Sequence, residues 1–139
     1  MSAVFDVACV VDDDRIFVFG ISRLMEMTNF CNDLVVCEHG KEALDYLISA
    51  DGEEQKLPDI ILLDINMPVL DGWQFLDEFI KIKPRLDKEI TIYMVSSSVS
   101  KTDIERAKSY DDICDYIIKP VKSEDLQMII KHYEESRLN

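Results

Sequence analysis

Short apolar runs, each stopping at a polar residue, alternate with longer amphipathic stretches along this chain, and that alternation limits its fold more than any other feature. A brief, densely apolar run reads as a buried strand, whereas apolar residues recurring every three or four positions read as one face of a helix. Val4 to Val11 is apolar and β-branched except for Asp6, and it runs into Asp12-Asp13-Asp14. Ile16 to Met27 carries Phe17, Ile21, Leu24 and Met27 as a helical stripe. Leu34 to Cys37 is a short strand, and Lys41 to Ile48 is a helix with Ala43, Leu44, Leu47 and Ile48 on one face. A polar loop, Ser49 to Lys56, closes at Pro58.

Ile60 to Leu63 is continuously apolar and ends at Asp64, the pattern of a central strand buried on both faces. Met67-Pro68 and Asp71-Gly72 mark a loop, and Trp73 to Ile82 is helical until Pro84. A fourth strand, Ile90 to Val95, stops at Ser96-Ser97-Ser98, and Lys101 to Tyr110 is a more polar helix. Tyr116 to Ile118 is a fifth short strand broken by Lys119-Pro120, and Ser123 opens a last helix that runs to about Arg137. Five strands alternating with five helices predict an α/β fold, a doubly wound five-stranded parallel sheet covered on both faces.

Ligands of such sheets bind beyond the C-terminal strand ends, where strand order reverses. Asp12 and Asp13, Asp64, Ser96 and Lys119 all stand at those ends, so the conspicuous polar residues are expected on one edge. Taken singly, each has an ordinary explanation as a turn, a cap or a solvated strand end; their joint order does not. Converging carboxylates repel one another unless a cation sits among them. With only oxygen donors present, Mg²⁺ or Mn²⁺ is the natural occupant. Lys119 adds a mobile positive charge and Ser96 a hydroxyl donor, a set suited to phosphoryl transfer with Asp64 as nucleophile.

Charge narrows the partners. Fifteen Lys and Arg against 28 Asp and Glu leave a net charge of −13, a surface that repels nucleic acid and anionic lipid. The longest uncharged run, Ile90 to Ser100, has eleven residues, against roughly 20 for a membrane helix. No basic segment followed by a long apolar one opens the chain, so a cytoplasmic protein is expected, its four scattered cysteines reduced. Cys9 and Cys37 read as small buried hydrophobes, His39 and His132 as surface residues, and Trp73 as a packing residue at a helix start.

The motifs together resemble the receiver domains of two-component response regulators. The resemblance spans essentially the whole chain and is carried by Val-Val-Asp-Asp-Asp at 10–14, Ile-Leu-Leu-Asp-Ile-Asn-Met-Pro at 61–68, Asp-Gly at 71–72, Met-Val-Ser at 94–96 and Tyr-Ile-Ile-Lys-Pro at 116–120. It implies a flavodoxin-like strand order 2-1-3-4-5 and a phosphoryl group accepted on Asp64 from a histidine kinase or histidine phosphotransfer protein. It further implies Asp13 as direct metal ligand, Asp12 as the second acid, and the backbone carbonyl of Asn66 completing the coordination. Ser96 matches the switch hydroxyl and Lys119 the phosphoryl-pairing lysine, with a cis bond to Pro120. Tyr116 matches the switch aromatic, inward in the active state and outward at rest. Ser98 and Asn66 match positions that tune phosphoryl lifetime.

Many members have a Gly-Ala type turn where this chain has Tyr110-Asp111-Asp112-Ile113-Cys114, so the downstream partner is not implied. The expectation is a single receiver domain over residues 1–139, with no output domain, acting by protein binding or by relay. Three rivals stand beside it. A metal-dependent phosphatase wants an acid where Asn66 stands. A nucleotide or flavin module wants a phosphate-cradling loop where Asp12-Asp13-Asp14 stands. A receiver fold that binds partners without being phosphorylated would leave the filled catalytic positions unused.

Overall fold

The computed structural model describes residues 3–50 and 57–138. Along the chain run β1 (Phe5–Val11), α1 (Arg15–Met27), β2 (Cys31–Cys37), α2 (Gly40–Ser49), β3 (Ile60–Leu63) and α3 (Gly72–Ile82). After a 3₁₀ turn at Lys83–Arg85 come β4 (Thr91–Ser96), α4 (Lys101–Lys108), β5 (Ile113–Ile118) and α5 (Ser123–Ser136). The five strands form one parallel sheet in the order β2-β1-β3-β4-β5, as expected.

The apolar runs of β1, β3 and β4 are buried on both faces because successive side chains point to opposite sides of the sheet. Cys9, Val11, Ile61, Leu63, Ile92 and Met94 face α2, α3 and α4, meeting Ala43, Leu47, Phe75, Leu76, Phe79 and Ala107. Ala8, Val10, Ile60, Leu62, Tyr93 and Val95 face α1 and α5, meeting Ile21, Met25, Leu126 and Ile129. Cys9, Cys37 and Trp73 are buried as expected.

The edge strands depart from the sequence reading. β2 begins at Cys31, three residues before the expected Leu34, and β5 begins at Ile113 instead of Tyr116. In β2 two of the three added residues, Asn32 and Asp33, are polar, and Asn32 donates to Asp6 Oδ1 on the neighbouring strand at 3.1 Å. In β5 the register skips Cys114, since Ile92 pairs with Ile113 but Tyr93 with Asp115. An irregularity of this kind breaks the period of two that marks a strand. Met27 is 78% exposed, and Met25 takes its place on the buried face of α1. His132 is exposed, but His39 is half-buried and its Nδ1 accepts the Glu42 N–H, capping α2. α2 reaches Ser49, one residue into the expected loop, and positions 51–56 of that loop lie outside the described residues.

Candidate functional site

Three residues reach the site because each continues a sheet ladder one step past its strand. Asp12 donates its N–H to the Cys37 carbonyl (2.9 Å), Asp64 to Val11 (3.0 Å) and Lys119 to Ser96 (2.9 Å). Parallel strands put these continuations on one edge of the sheet, above the β1–β3 boundary where the order reverses.

The run of three aspartates divides its work. Asp14 caps α1, its Oδ1 accepting from Ile16 N–H (3.0 Å) and Phe17 N–H (3.1 Å). Those amides are the groups a nucleotide or flavin phosphate would need, and Asp14 already occupies them, which weighs against the nucleotide or flavin module on geometry as well as charge. Asp12 is buried, its Oδ1 accepting from Asp14 N–H at 2.9 Å. Asp13 is exposed and leans over the pocket, where one carboxylate oxygen each from Asp12, Asp13 and Asp64 lie within 4.8 Å of one another.

Charge balance is poor. Burial, and then the charge of Asp12, push the Asp64 carboxyl up to about 6, against the pull of Lys119 and the Ile65 N–H. Burial also raises Asp12, outweighing Lys119 and the Asp14 amide. Lys119 Nζ lies 2.8 Å from Asp12 Oδ2 and 3.9 Å from Asp64 Oδ2, one ammonium against three carboxylates. Asp12 Oδ2 is buried and faces the Lys119 ammonium at 2.8 Å, with no further hydrogen-bond donor among the described residues. Carboxylates so spaced, with no sulfur or imidazole beside them among the described residues, fit a divalent metal ion.

The other wall carries the expected switch residues. Ser96 is fully buried, and its Oγ accepts the Ser98 N–H at 3.1 Å. Tyr116 is half-buried against the core facing α3 and α4, and its hydroxyl donates to the Ser98 carbonyl at 2.8 Å. The Lys119-Pro120 bond is cis.

Asn66 is exposed in the loop that leaves Asp64. That loop is pinned at two points, by Gly72 N–H on the Ile65 carbonyl (2.8 Å) and Gly40 N–H on the Leu70 carbonyl (3.0 Å). A Cβ on Gly72 would lie 2.4 Å from the Asp64 carbonyl oxygen, so only glycine lets α3 start this close to the acid. Between the pins, Leu70 N–H bonds Pro68 O at 2.7 Å, a γ-turn centred on Val69 with φ 68°.

Two contacts, each made by a residue already named in the sequence, could not be read there. Phe17, there a member of the core stripe, also sets its ring 4.3 Å from Lys119 Nζ. Ser98 Oγ donates to Asp103 Oδ2 at 2.6 Å and accepts the Ser100 N–H at 3.2 Å, joining the Ser96 loop to the first turn of α4. Neither has a local sequence signal, since both contacts are made between separate elements or across a loop.

A five-stranded doubly wound sheet with an acidic pocket, a lysine and a buried hydroxyl at its carboxyl edge defines a receiver fold. The family model for the response regulator receiver domain matches residues 8–131, and the chain belongs to that family. It is a signalling domain of two-component systems. Over 126 residues it is 33% identical to the probable methanogenesis regulatory protein FilR2 of Methanothrix harundinacea, covering 91% of this chain and 79% of that one. It is 30% identical over 130 residues to the two-component response regulator ORR21 of Oryza sativa, covering 94% of this chain but 17% of the rice protein. The crystal structure of a two-component response regulator from Cytophaga hutchinsonii superposes with a TM-score of 0.84 at 26% identity, covering 94% of this chain and 98% of that one. No described helix is long and apolar enough to cross a membrane.

Proposed function

We infer that this receiver accepts a phosphoryl group on Asp64 from a phosphohistidine of a kinase or phosphotransfer protein, and that the modified domain changes its affinity for protein partners. The observation that carries this reading is the clustering of Asp12, Asp13 and Asp64 with Lys119 reaching in from the end of β5. A carboxylate oxygen of Asp64 attacks phosphorus, the P–N bond breaks, and the electron pair leaves on the imidazole nitrogen. Asp12, Asp13, Asp64 and the Asn66 carbonyl would hold Mg²⁺ or Mn²⁺, which when bound supplies neutralising charge. Lys119 is 3.9 Å from Asp64 Oδ2 and pairs with the incoming dianion. Ser96 Oγ accepts from Ser98, so its own hydrogen remains available to a phosphoryl oxygen.

The same residues serve uptake and later hydrolysis, so the domain assists both. Residues 1–139 act as one receiver unit in the cytoplasm, in keeping with the free thiols of Cys9, Cys31, Cys37 and Cys114. Neither nucleic acid nor membrane is a partner of so acidic a surface.

Incubation with acetyl phosphate and Mg²⁺, followed by intact-mass measurement, tests the reading. The expected result is a gain of one phosphoryl group that requires Mg²⁺ and disappears in Asp64→Asn. Equal uptake by Asp64→Asn would move the acceptor elsewhere, and steady turnover of phosphate esters would favour a phosphatase.

A further inference from the structure

Three groups hold the Lys119 ammonium: Asp12 Oδ2 at 2.8 Å, Asp64 Oδ2 at 3.9 Å, and the face of Phe17, whose ring centroid is 4.3 Å from Nζ. The lysine side chain is 15% exposed, so this contact is made largely out of water, where the attraction between a cation and an aromatic face is strongest. Phe17 is well placed to keep its position. Its N–H is taken by the Asp14 cap at 3.1 Å, and its ring packs on the core beneath α1 and α5.

The three contacts respond differently to a divalent cation. Positive charge among the acids drains the attraction that Asp12 and Asp64 exert on Lys119 and adds a repulsion of its own. The quadrupole of the ring is untouched, because Phe17 carries no charge for the metal to neutralise. Without a neutral anchor the ammonium would swing toward solvent at the stage when its charge is needed beside Asp64.

We propose that Phe17 is a positioning residue for Lys119, its ring face holding the ammonium within reach of Asp64 while a divalent cation occupies the acidic pocket. This rests on, and deepens, the reading of Asp64 as phosphoacceptor.

Two measurements test it. The first needs no phosphorylation. The side-chain methylene protons of Lys119 next to the ammonium, lying over an aromatic face, carry an upfield ring-current shift in the NMR spectrum. That shift is expected to persist when Mg²⁺ is added and to vanish in Phe17→Leu; its disappearance on adding Mg²⁺ to the unsubstituted protein overturns the proposal.

The second replaces Phe17 with phenylalanines of increasing ring fluorination, which weaken the quadrupole at nearly constant shape. Phosphoryl uptake from acetyl phosphate at saturating Mg²⁺ is expected to fall stepwise, by about three- to ten-fold over the series. Phe17→Tyr should stay near the unsubstituted rate. A flat fluorination series beside a slow Phe17→Leu would mean that the ring acts by packing alone, and the proposal fails. If the unsubstituted protein takes up no phosphoryl group, the Asp64 reading fails, and the ring-current measurement still decides the Phe17 contact.

Discussion

The hydroxyl of Tyr116 donates a 2.8 Å hydrogen bond to the carbonyl of Ser98, the same residue whose N–H is given to Ser96 Oγ at 3.1 Å. One peptide segment thus links the buried hydroxyl of β4 to the ring of β5, and Ser98 Oγ extends the link to Asp103 on α4. Tyr116→Phe keeps the ring and removes the bond, so unfolding in urea should show a loss of about 0.5–1.5 kcal/mol with an unchanged slope. Ser98→Ala should leave Tyr116 in place but speed amide exchange in the first turn of α4, because the Asp103 carboxylate then loses its donor.

Asp64 works against stability when no metal is bound. Its pKa rises from an ordinary carboxylate value near 3.8 to about 6 in the fold, so between these pH values the folded state holds the extra proton. The sign follows: the contribution of Asp64 to stability is greatest below pH 4, declines as pH rises through about 6, and then levels off. Asp64→Asn should therefore stabilise the metal-free protein at pH 7, by about 1–3 kcal/mol, and flatten the profile. Asp12, also raised, contributes in the same direction. Thermal unfolding of the unsubstituted protein and Asp64→Asn from pH 4 to 8 in a chelator checks this, and a difference between the two that does not grow in favour of Asp64→Asn across pH 4–6 would refute it.

Mg²⁺ should reverse that penalty. A ligand that binds only the folded state stabilises by about 2.7 kcal/mol at a hundred times its dissociation constant. The melting temperature should rise with Mg²⁺ concentration and fall back on chelation. Asp13→Asn, which removes the exposed acid without opening a cavity, should demand a higher Mg²⁺ concentration for the same rise.

Gly72→Ala should be severe. The added Cβ meets backbone, with the Asp64 carbonyl oxygen at 2.4 Å and Ile65 Cα at 3.0 Å, and neither can swing aside. A loss of roughly 2 kcal/mol or more is expected in denaturant unfolding, together with slower phosphoryl uptake because Asp64 itself is displaced.

Val69 stores strain that substitution can release. A β-branched residue at φ 68° is a rare conformation, and its side chain is 69% exposed, so little packing is lost on replacement. Val69→Asn, a residue that tolerates positive φ, should raise stability by about 1 kcal/mol in the same unfolding assay.

Much of the fold and of the pocket is legible in the order of residues alone. Ile60 to Leu63 reads only as a doubly buried strand, and Asp64 at its end must then lie at the sheet edge. The strand-to-helix alternation makes the sheet parallel, which brings the residues after β1, β3, β4 and β5 to one side. These are local consequences of side-chain period and chain polarity, and the sequence carries both in full.

Tertiary structure decided what depends on neighbours distant in the chain. The first residues of β2 and β5 are polar or irregular, and they became strand only because β1 and β4 offered unpaired backbone groups beside them. Three consecutive aspartates look alike in the sequence, yet burial, pocket and helix cap separate Asp12, Asp13 and Asp14. Phe17 and Lys119 are 102 positions apart, and no pattern of either segment announces that ring and ammonium meet. Hydrophobic period reports which way a side chain faces along its own element; what it touches there is set by the register and packing of the elements opposite.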